Sequence, residues 1–512
     1  MRSSHAVTAV SASLSDRNLI AHAGLAPVLR LAERCGLGEL AGAHLTVASP
    51  NAAVKLTSIV GGMVAGADSI DDLDVLRHGG MDILFGGVRA PSTLGTFLRG
   101  FTHGHVRQLH AVARRFTTAL AHAAPLLPGA GTLAFIDVDS KVKQVHGYAK
   151  QGASFGYTKV RGLHFQTATV STPLAAPIIT ATRLRKGSAG SGKGAASLFT
   201  EAIGAARDAG ATGMILARAD SAFFSVKTIA AIARAGAHFS ITVPGSKTVR
   251  AAIAAIGEAV WQTIKYPNAI FDAASGQWVS DAEIAEIPFT AFTSKGRKWQ
   301  VNARLIVRRV RRLPNPGDGQ GELFPIWRYH AVFTDSPFTL VQAEAQHRGH
   351  AIIEQVFADL NDSALAHLPS GKFQANAAWL ALAAIAHNLT RAAGTLASAF
   401  HARARTGTIR RTLITVPARI ATSPAASTCI YPPAGPGPPP GKTSGPPPAT
   451  RYAPEPGHSP VRPRTETSEN PHRTAIRRSA MFPHRNPQPI TTGTPEIRTQ
   501  ESGAVDPGLE AP

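Results

Sequence analysis

The stretch TLAFIDVDSKVKQVHG, residues 132–147, begins as a strand fit for burial and then sets down two carboxylates, Asp137 and Asp139, with only Val138 between them. Leu133, Ala134, Phe135 and Ile136 form its apolar run. A short apolar run bounded by turn residues reads as a buried strand. Acids at the carboxyl end of such a strand sit where α/β folds place ligands.

The same grammar recurs on either side of it. LHFQTATVST (163–172), TGMILARADS (212–221) and AHFSITV (237–243) read as strands, and TGMILARADS ends in another acid, Asp220. GAASLFTEAIGAARDAG (194–210) and SVKTIAAIARAG (225–236) read as helices closed by glycine. The alternation predicts an α/β fold with a mixed-sheet core. Within LVQAEAQHRGHAIIEQVFADL (340–360), read as one helix, Ile353, Val356, Phe357 and Leu360 make a buried stripe and leave Glu354 free to lean over the sheet.

Asp139, Asp220 and Glu354, with Asp137 as the alternative first acid, are thus three carboxylates from two strands and a helix. Such a set is stable in a basic fold when a cation lies between its members, and hard oxygen ligands select Mg²⁺ or Mn²⁺. Two such ions roughly 3.5–4 Å apart stabilise the attacking and leaving oxygens of a phosphodiester. Taken singly, each acid has a plainer reading: Asp137 bonded to backbone amides, Asp220 capping the following helix, Glu354 on a helix surface.

Composition agrees with a polyanionic partner. The chain has 512 residues, 53 Lys plus Arg against 32 Asp plus Glu, and a net charge of +21. Such a field draws nucleic acid. Two cysteines, Cys35 and Cys429, exclude a disulfide framework or a cysteine zinc site. The N-terminus lacks the apolar core of a signal peptide, and ANAAWLALAAIA (375–386) is too short to span a bilayer. The expectation is a cytoplasmic, nucleoid-associated protein without a membrane partner.

Residues 1–130 read as a helical region, in which Ser92 or Thr93 can cap a helix after Pro91. Its last helix would bury Val106, Leu109, Val112 and Phe116 and keep Arg107, Arg114 and Arg115 wet, either to grip DNA or as a solvated face. Residues 131–244 form the first part of the core, and 336–420 the second. Between them, 245–335 reads as a β-rich basic insertion, carrying WQVNARLIVRRVRR and WRYHAVFTD as strands around the loop LPNPGDGQGE. Arg297, Lys298, Arg308, Arg309, Arg311 and Arg312, with Arg348 on the Glu354 helix, are the candidate DNA contacts, and Trp299 and Trp327 lie among them. The alternative is an edge strand kept soluble by arginine. Of the 37 prolines, 21 lie in 421–512, which predicts a disordered tail. KGSAGSGKG (186–194) nearly spells a phosphate loop, but Gly194 stands where that motif needs Ser or Thr for magnesium; a flexible loop is the better reading.

FIDVDSKVKQVHGYAKQGASFGYTKVRGLH (135–164), ARADSAFFS (217–225), QHRGHAIIEQVFADLNDS (346–363) and GKFQANAAWLALAAIAHNLTRAAG (371–394) resemble the DDE transposases of bacterial insertion sequences, in particular insertion-sequence family 1380. IDDLDVLRHGGM and RAPSTLGTFLRGFTHGHVRQL are similar to that family's helical N-terminal region, and the resemblance covers roughly residues 15–420. It implies a ribonuclease H-like core with a β insertion between the second Asp and the Glu. By position it makes Asp139, Asp220 and Glu354 the catalytic and metal-holding acids. It further implies cleavage at transposon ends, attack of the freed 3′-OH on target DNA, double-stranded terminal inverted repeats as partner, and a homodimer in the DNA complex. Where related transposases often carry Tyr and Arg before the Glu and Lys after it, this chain has His347, His350 and Asn361. His146, Tyr157 and His164 fall in matched segments, on the substrate side or in the scaffold.

The resemblance stops at LITVPARIATS. The following STCIYPPAGPGP, with one choice of codons read in a shifted frame, gives Asp-Leu-His-Leu-Pro-Thr-Gly-Trp-Pro-Trp, similar to the family's continuation. The expectation is a frameshift after about Ala421. The alternatives to an active transposase are a truncated DNA-binding competitor of transposition and a standalone ribonuclease H-like nuclease. A glycosidase would leave the basic surface unexplained.

Overall fold

The computed structural model describes residues 15–264, 271–272, 277–278, 282–311, 327–423 and 426–430. Arg312, the loop 313–322 and the Pro-rich segment beyond 430 lie outside the described residues, and of Arg311 only the backbone is described. All described residues belong to one compact unit, Met1–Gly435.

Ten strands form one mixed sheet: β1 (Leu133–Gln144), β2 (Ser154–Phe155), β3 (Arg161–Thr172), β4 (Ala175–Lys186), β5 (Met214–Ala219), β6 (His238–Thr242), β7 (Gln262–Ile264), β8 (Ala282–Ala291), β9 (Val301–Arg311) and β10 (Trp327–Thr334). Their order is β2-β3-β1-β5-β6-β10-β9-β8-β7, with β4 pairing β3. β1, β5 and β6 are parallel neighbours, and the remaining pairs are antiparallel. The two-residue period of β1 divides its side chains: Ala134, Ile136 and Val138 turn to one face, Phe135, Asp137 and Asp139 to the other. Residues 134–138 are all buried, as a central strand covered on both faces requires.

The basic segment is no separate lobe. β10 pairs with β6, Val332 opposite Thr242, so β8–β10 extend the core sheet. The N-terminal helices likewise share the core of the sheet. α1 (Leu25–Arg34), α2 (Leu37–His44), α3 (Ala52–Ala65), α4 (Pro91–Arg99) and α5 (His103–Ala123) contribute to the same cluster of buried side chains as β1 and β5. Pro91 itself opens α4, so Ser92 and Thr93 lie inside its first turn and no side chain caps it. In α5 the expected stripe of Val106, Leu109, Val112 and Phe116 is buried.

α6 (Ala195–Asp208) precedes β5, and α7 (Val226–Arg234) lies between β5 and β6. The stretch predicted as one helix over 340–360 is divided: α8 (Leu340–Arg348), a 3-10 turn (Gly349–Ile352) and α9 (Ile353–Asn361). At the break the Arg218 guanidinium donates to the Gln346 carbonyl, the acceptor that the N–H of residue 350 would take in an unbroken helix. A Cβ on residue 349 would meet that guanidinium at 2.9 Å, so glycine suits the crossing. α10 (Phe373–Ala397) is buried along most of its length, and its Asn388 side chain bonds both backbone groups of Ile179 in β4, at 2.8 and 2.7 Å. No helix among the described residues is long and apolar enough to cross a membrane. Leu19–Ile20 pairs with a strand at Ala418–Ser423, which pairs in turn with Ala426–Ile430; residue 421, where the tail was expected to start, thus falls within a strand.

Candidate active site

Val138 of β1 stands in parallel register with Ala219 of β5, and Asp137 with Arg218. Asp139 and Asp220 are therefore the next residues along two adjacent strands, whose spacing is about 4.8 Å. By alternation they share the face on which Asp137 and Arg218 meet.

Asp137 and Arg218 form a fully buried bidentate pair, with Nε and Nη2 donating to Oδ1 and Oδ2 at 2.7 Å each. The Arg218 guanidinium also lies 4.0 Å from the Phe135 ring centre. His350, in the 3-10 turn, donates from Nδ1 to Asp137 Oδ1 at 2.9 Å. Burial pushes the Asp137 carboxyl up, but the Arg218 charge and the His350 hydrogen bond outweigh it and hold the group below the usual range. With both oxygens taken, Asp137 is a buried anchor. The pair, with His350, ties β1, β5 and the turn before α9 into one frame.

Asp139 has no such partner. Its Oδ1 accepts the Ser140 N–H at 2.6 Å. Burial pushes its carboxyl up to about 6, and the charges of Asp220 and Glu354 add to the rise while that of His350 opposes it. Asp220 is raised too, first by burial, and its side chain caps the 3-10 turn Ser221–Phe223 by accepting the Ala222 N–H at 3.0 Å. Glu354 sits in the first turn of α9, opposite the buried stripe of Ile353, Val356, Phe357 and Leu360. Its side chain is 64% exposed and lies 4.0 Å from Lys141 Nζ. Among the described residues no three acids, histidines or cysteines are placed close enough to hold an ion together. The donors are carboxylates, the type a hard divalent ion takes, and burial raises both Asp139 and Asp220, with the Asp220 charge adding to the rise of Asp139. The plainer readings are partly realised as well, since Asp220 does cap a turn and Glu354 is largely exposed.

The histidines divide by role. His347 is half-buried between the Ser240 and Thr242 hydroxyls, at 2.9 and 3.0 Å, and desolvation pushes its pKa down to about 3. His164 is buried and pushed down to about 4 by the same cause. Both belong to the scaffold. His146 and Tyr157 are exposed. Asn361 accepts from Lys143 Nζ at 3.2 Å, so a lysine reaches this end of α9 from β1.

The expected DNA contacts separate sharply. Arg297 and Lys298 are exposed at the β8–β9 turn beside Trp299. Arg309 is buried, clamped by Glu258 and Glu283, with its guanidinium 4.3 Å from the Trp261 ring and 4.4 Å from Trp327. A two-residue period sends half of β9 inward, and acids from neighbouring segments pair with Arg309 there. Arg308 and Arg348 both bond Glu344, which is 4% exposed, so their charge is largely spent within the fold. Arg311 and Arg312 cannot be placed on either face, their side chains lying outside the described residues.

Arg218 went unnoticed in the sequence, although its signal was present. An arginine inside the apolar run MILARADS needs a buried partner, and Arg218 precedes Asp220 by the same two residues that separate Asp137 from Asp139.

The family model described as Transposase DDE domain group 1 matches residues 3–429. No curated protein matches the chain. The matched span contains β1, β5 and α9 with their three acids, and with it the greater part of the 512 residues, so the chain belongs to the Transposase DDE domain group 1 family.

Proposed function

We propose that the chain is the transposase of a bacterial insertion sequence of family 1380, cutting double-stranded DNA at terminal inverted repeats and joining the freed end to target DNA as a homodimer. The observation that carries this reading is the register of Asp139 and Asp220 on adjacent parallel strands, with Glu354 in the first turn of the helix that follows the His350 turn bonded to Asp137. The order β4-β3-β1-β5-β6, antiparallel on one side of β1 and parallel on the other, supports a ribonuclease H-like core.

Asp139, Asp220 and Glu354 would hold Mg²⁺ or Mn²⁺, which supplies activation of an oxygen nucleophile and relief of charge on the phosphate. The carboxylates fix where the nucleophile stands. Water displaces the 3′ oxygen of the transposon end from phosphorus, and the resulting 3′-OH then displaces a 3′ oxygen of the target in line, with no covalent protein intermediate. To complete the set, the Glu354 side chain turns from Lys141 toward the two aspartates. The exposed turn at Arg297 and Lys298 is a candidate contact for target DNA.

The test is a cleavage and strand-transfer assay on a duplex carrying the inverted repeats that flank the gene. Wild-type protein should nick and join in Mg²⁺ or Mn²⁺ and do neither in EDTA. Asp220→Ala and Glu354→Ala should each lower cleavage on the order of 10³-fold or more while leaving end binding intact. Binding without cleavage by the wild type would establish the truncated competitor instead, and cleavage without joining the standalone nuclease.

A further inference from the structure

We propose that the groove between α5, the end of β4, the glycine-rich loop 187–194 and the start of α10 seats the phosphate backbone of duplex DNA and leads it to the acid site. This rests on the transposase reading and adds the surface that carries the substrate.

The groove encloses about 610 Å³, and its lining holds five cations, Arg107, Arg183, Arg185, Lys186 and Lys193, with no carboxylate. It adjoins a second hollow of about 830 Å³ with which it shares Arg107, His110 and Arg183. The acids of that second hollow are already engaged: Glu201 with Arg183 at 2.8 Å and Asp208 with Arg114 at 2.6 Å. The buried Nδ1 of His110, which lines both, has no hydrogen-bond partner. Glu201 pairs with Arg183 and lies 4.0 Å from Arg107, so one carboxylate faces two of the five cations; the excess positive charge is the footprint of a polyanion.

The loop 187–194 is the wall shared with the acid site. Ser191 Oγ lies 2.9 Å from Ser140 Oγ, one residue beyond Asp139. A Cβ on Gly192 would stand 2.5 Å from the Ala222 carbonyl, and the Ala222 N–H is the one Asp220 accepts as cap. From beneath, Gln166 donates to the Ser191 carbonyl at 2.6 Å and Arg185 to the Gly190 carbonyl at 2.9 Å. Gly192 therefore serves close packing against the turn after Asp220, and Gly187 against the carbonyls of Ser154 and Gly162, roles for a near phosphate loop that lacks the magnesium-holding hydroxyl. Lys186 and Lys193, at the two ends of the loop, are exposed, as is Arg107 on α5 opposite. A strand laid along these three runs toward Asp139 and Asp220.

The experiment measures anisotropy of a labelled random-sequence linear duplex against full-length protein over a range of salt. The triple Arg107→Glu, Lys186→Glu, Lys193→Glu should bind about 100-fold more weakly and lower the salt slope by about 3, the value for three lost phosphate contacts. The triple Arg17→Glu, Arg30→Glu, Arg34→Glu makes the same change of net charge on exposed residues elsewhere and should stay within about threefold of wild type. Glutamine at the three groove positions gives a milder loss in the same direction and covers the case in which charge reversal unfolds the protein. Groove variants that fold and keep wild-type affinity and slope overturn the proposal, as does a loss confined to single-stranded DNA or duplex RNA. Wild-type protein that ignores duplex DNA altogether removes the transposase reading itself.

Discussion

Replacing Asp139 with asparagine should stabilise the metal-free protein at neutral pH and at the same time abolish DNA cleavage. The Asp139 carboxyl is pushed from 3.8 to about 6, first by burial and then by Asp220 and Glu354. A carboxyl whose folded pKa is raised favours folding fully below the unfolded value near 3.8, and this support fades as pH rises through about 6. At pH 7 the metal-free fold carries a charge it disfavours by about 3 kcal/mol. Asparagine removes that charge and keeps the shape. Unfolding in EDTA at pH 7 should therefore occur several °C higher in Asp139→Asn than in wild type, with the difference vanishing near pH 4. Mg²⁺ should raise the melting temperature of wild type and leave the variant unmoved, since a divalent ion takes the place of the missing positive charge. A variant that melts lower at pH 7, or that still cuts DNA in Mg²⁺, contradicts the role given to Asp139.

Asp137 should behave in the opposite way. Its carboxylate and the Arg218 guanidinium are both buried and bidentate, so Asp137→Ala strands a cation in the core. Breaking a buried pair in this way costs about 3–5 kcal/mol. The melting temperature should fall by roughly 10 °C. The double variant Asp137→Leu, Arg218→Met removes both charges and should recover most of that loss. Calorimetry then separates the two roles open to Asp137. If it is an anchor, the refolded double variant still binds Mn²⁺ with an affinity near wild type. If it is a ligand, cation binding is gone although stability has returned.

The contrast between these two aspartates explains what the sequence could and could not convey. The apolar run LAFI marked a buried strand ending in both acids, and the apolar run in MILARADS located Asp220. Those patterns are local, and they were legible. Which acid faces a ligand and which faces an arginine depends on the register of β1 against β5, set by contacts 81 residues apart. The division of α8 from α9 was hidden for the same reason, since the contact at the break, Arg218 on the Gln346 carbonyl, is long-range. The β9 arginines looked like a surface patch because composition does not record which of them meet Glu258, Glu283 or Glu344. The cationic groove was invisible because its walls, α5, β4 and the start of α10, are brought together only by the fold.

The claim beneath all of this is that Asp139, Asp220 and Glu354, from three separate elements, close around one divalent site. Iron-directed backbone cleavage measures it directly: Fe²⁺ in place of Mg²⁺, with ascorbate and peroxide, cuts the polypeptide where it approaches the bound ion. The expected result is three cuts, close to residues 139, 220 and 354, all suppressed together by excess Mg²⁺ and all absent in Asp139→Asn. Cutting near only one of these positions, or cuts that Mg²⁺ does not suppress, would show that the three carboxylates do not share an ion.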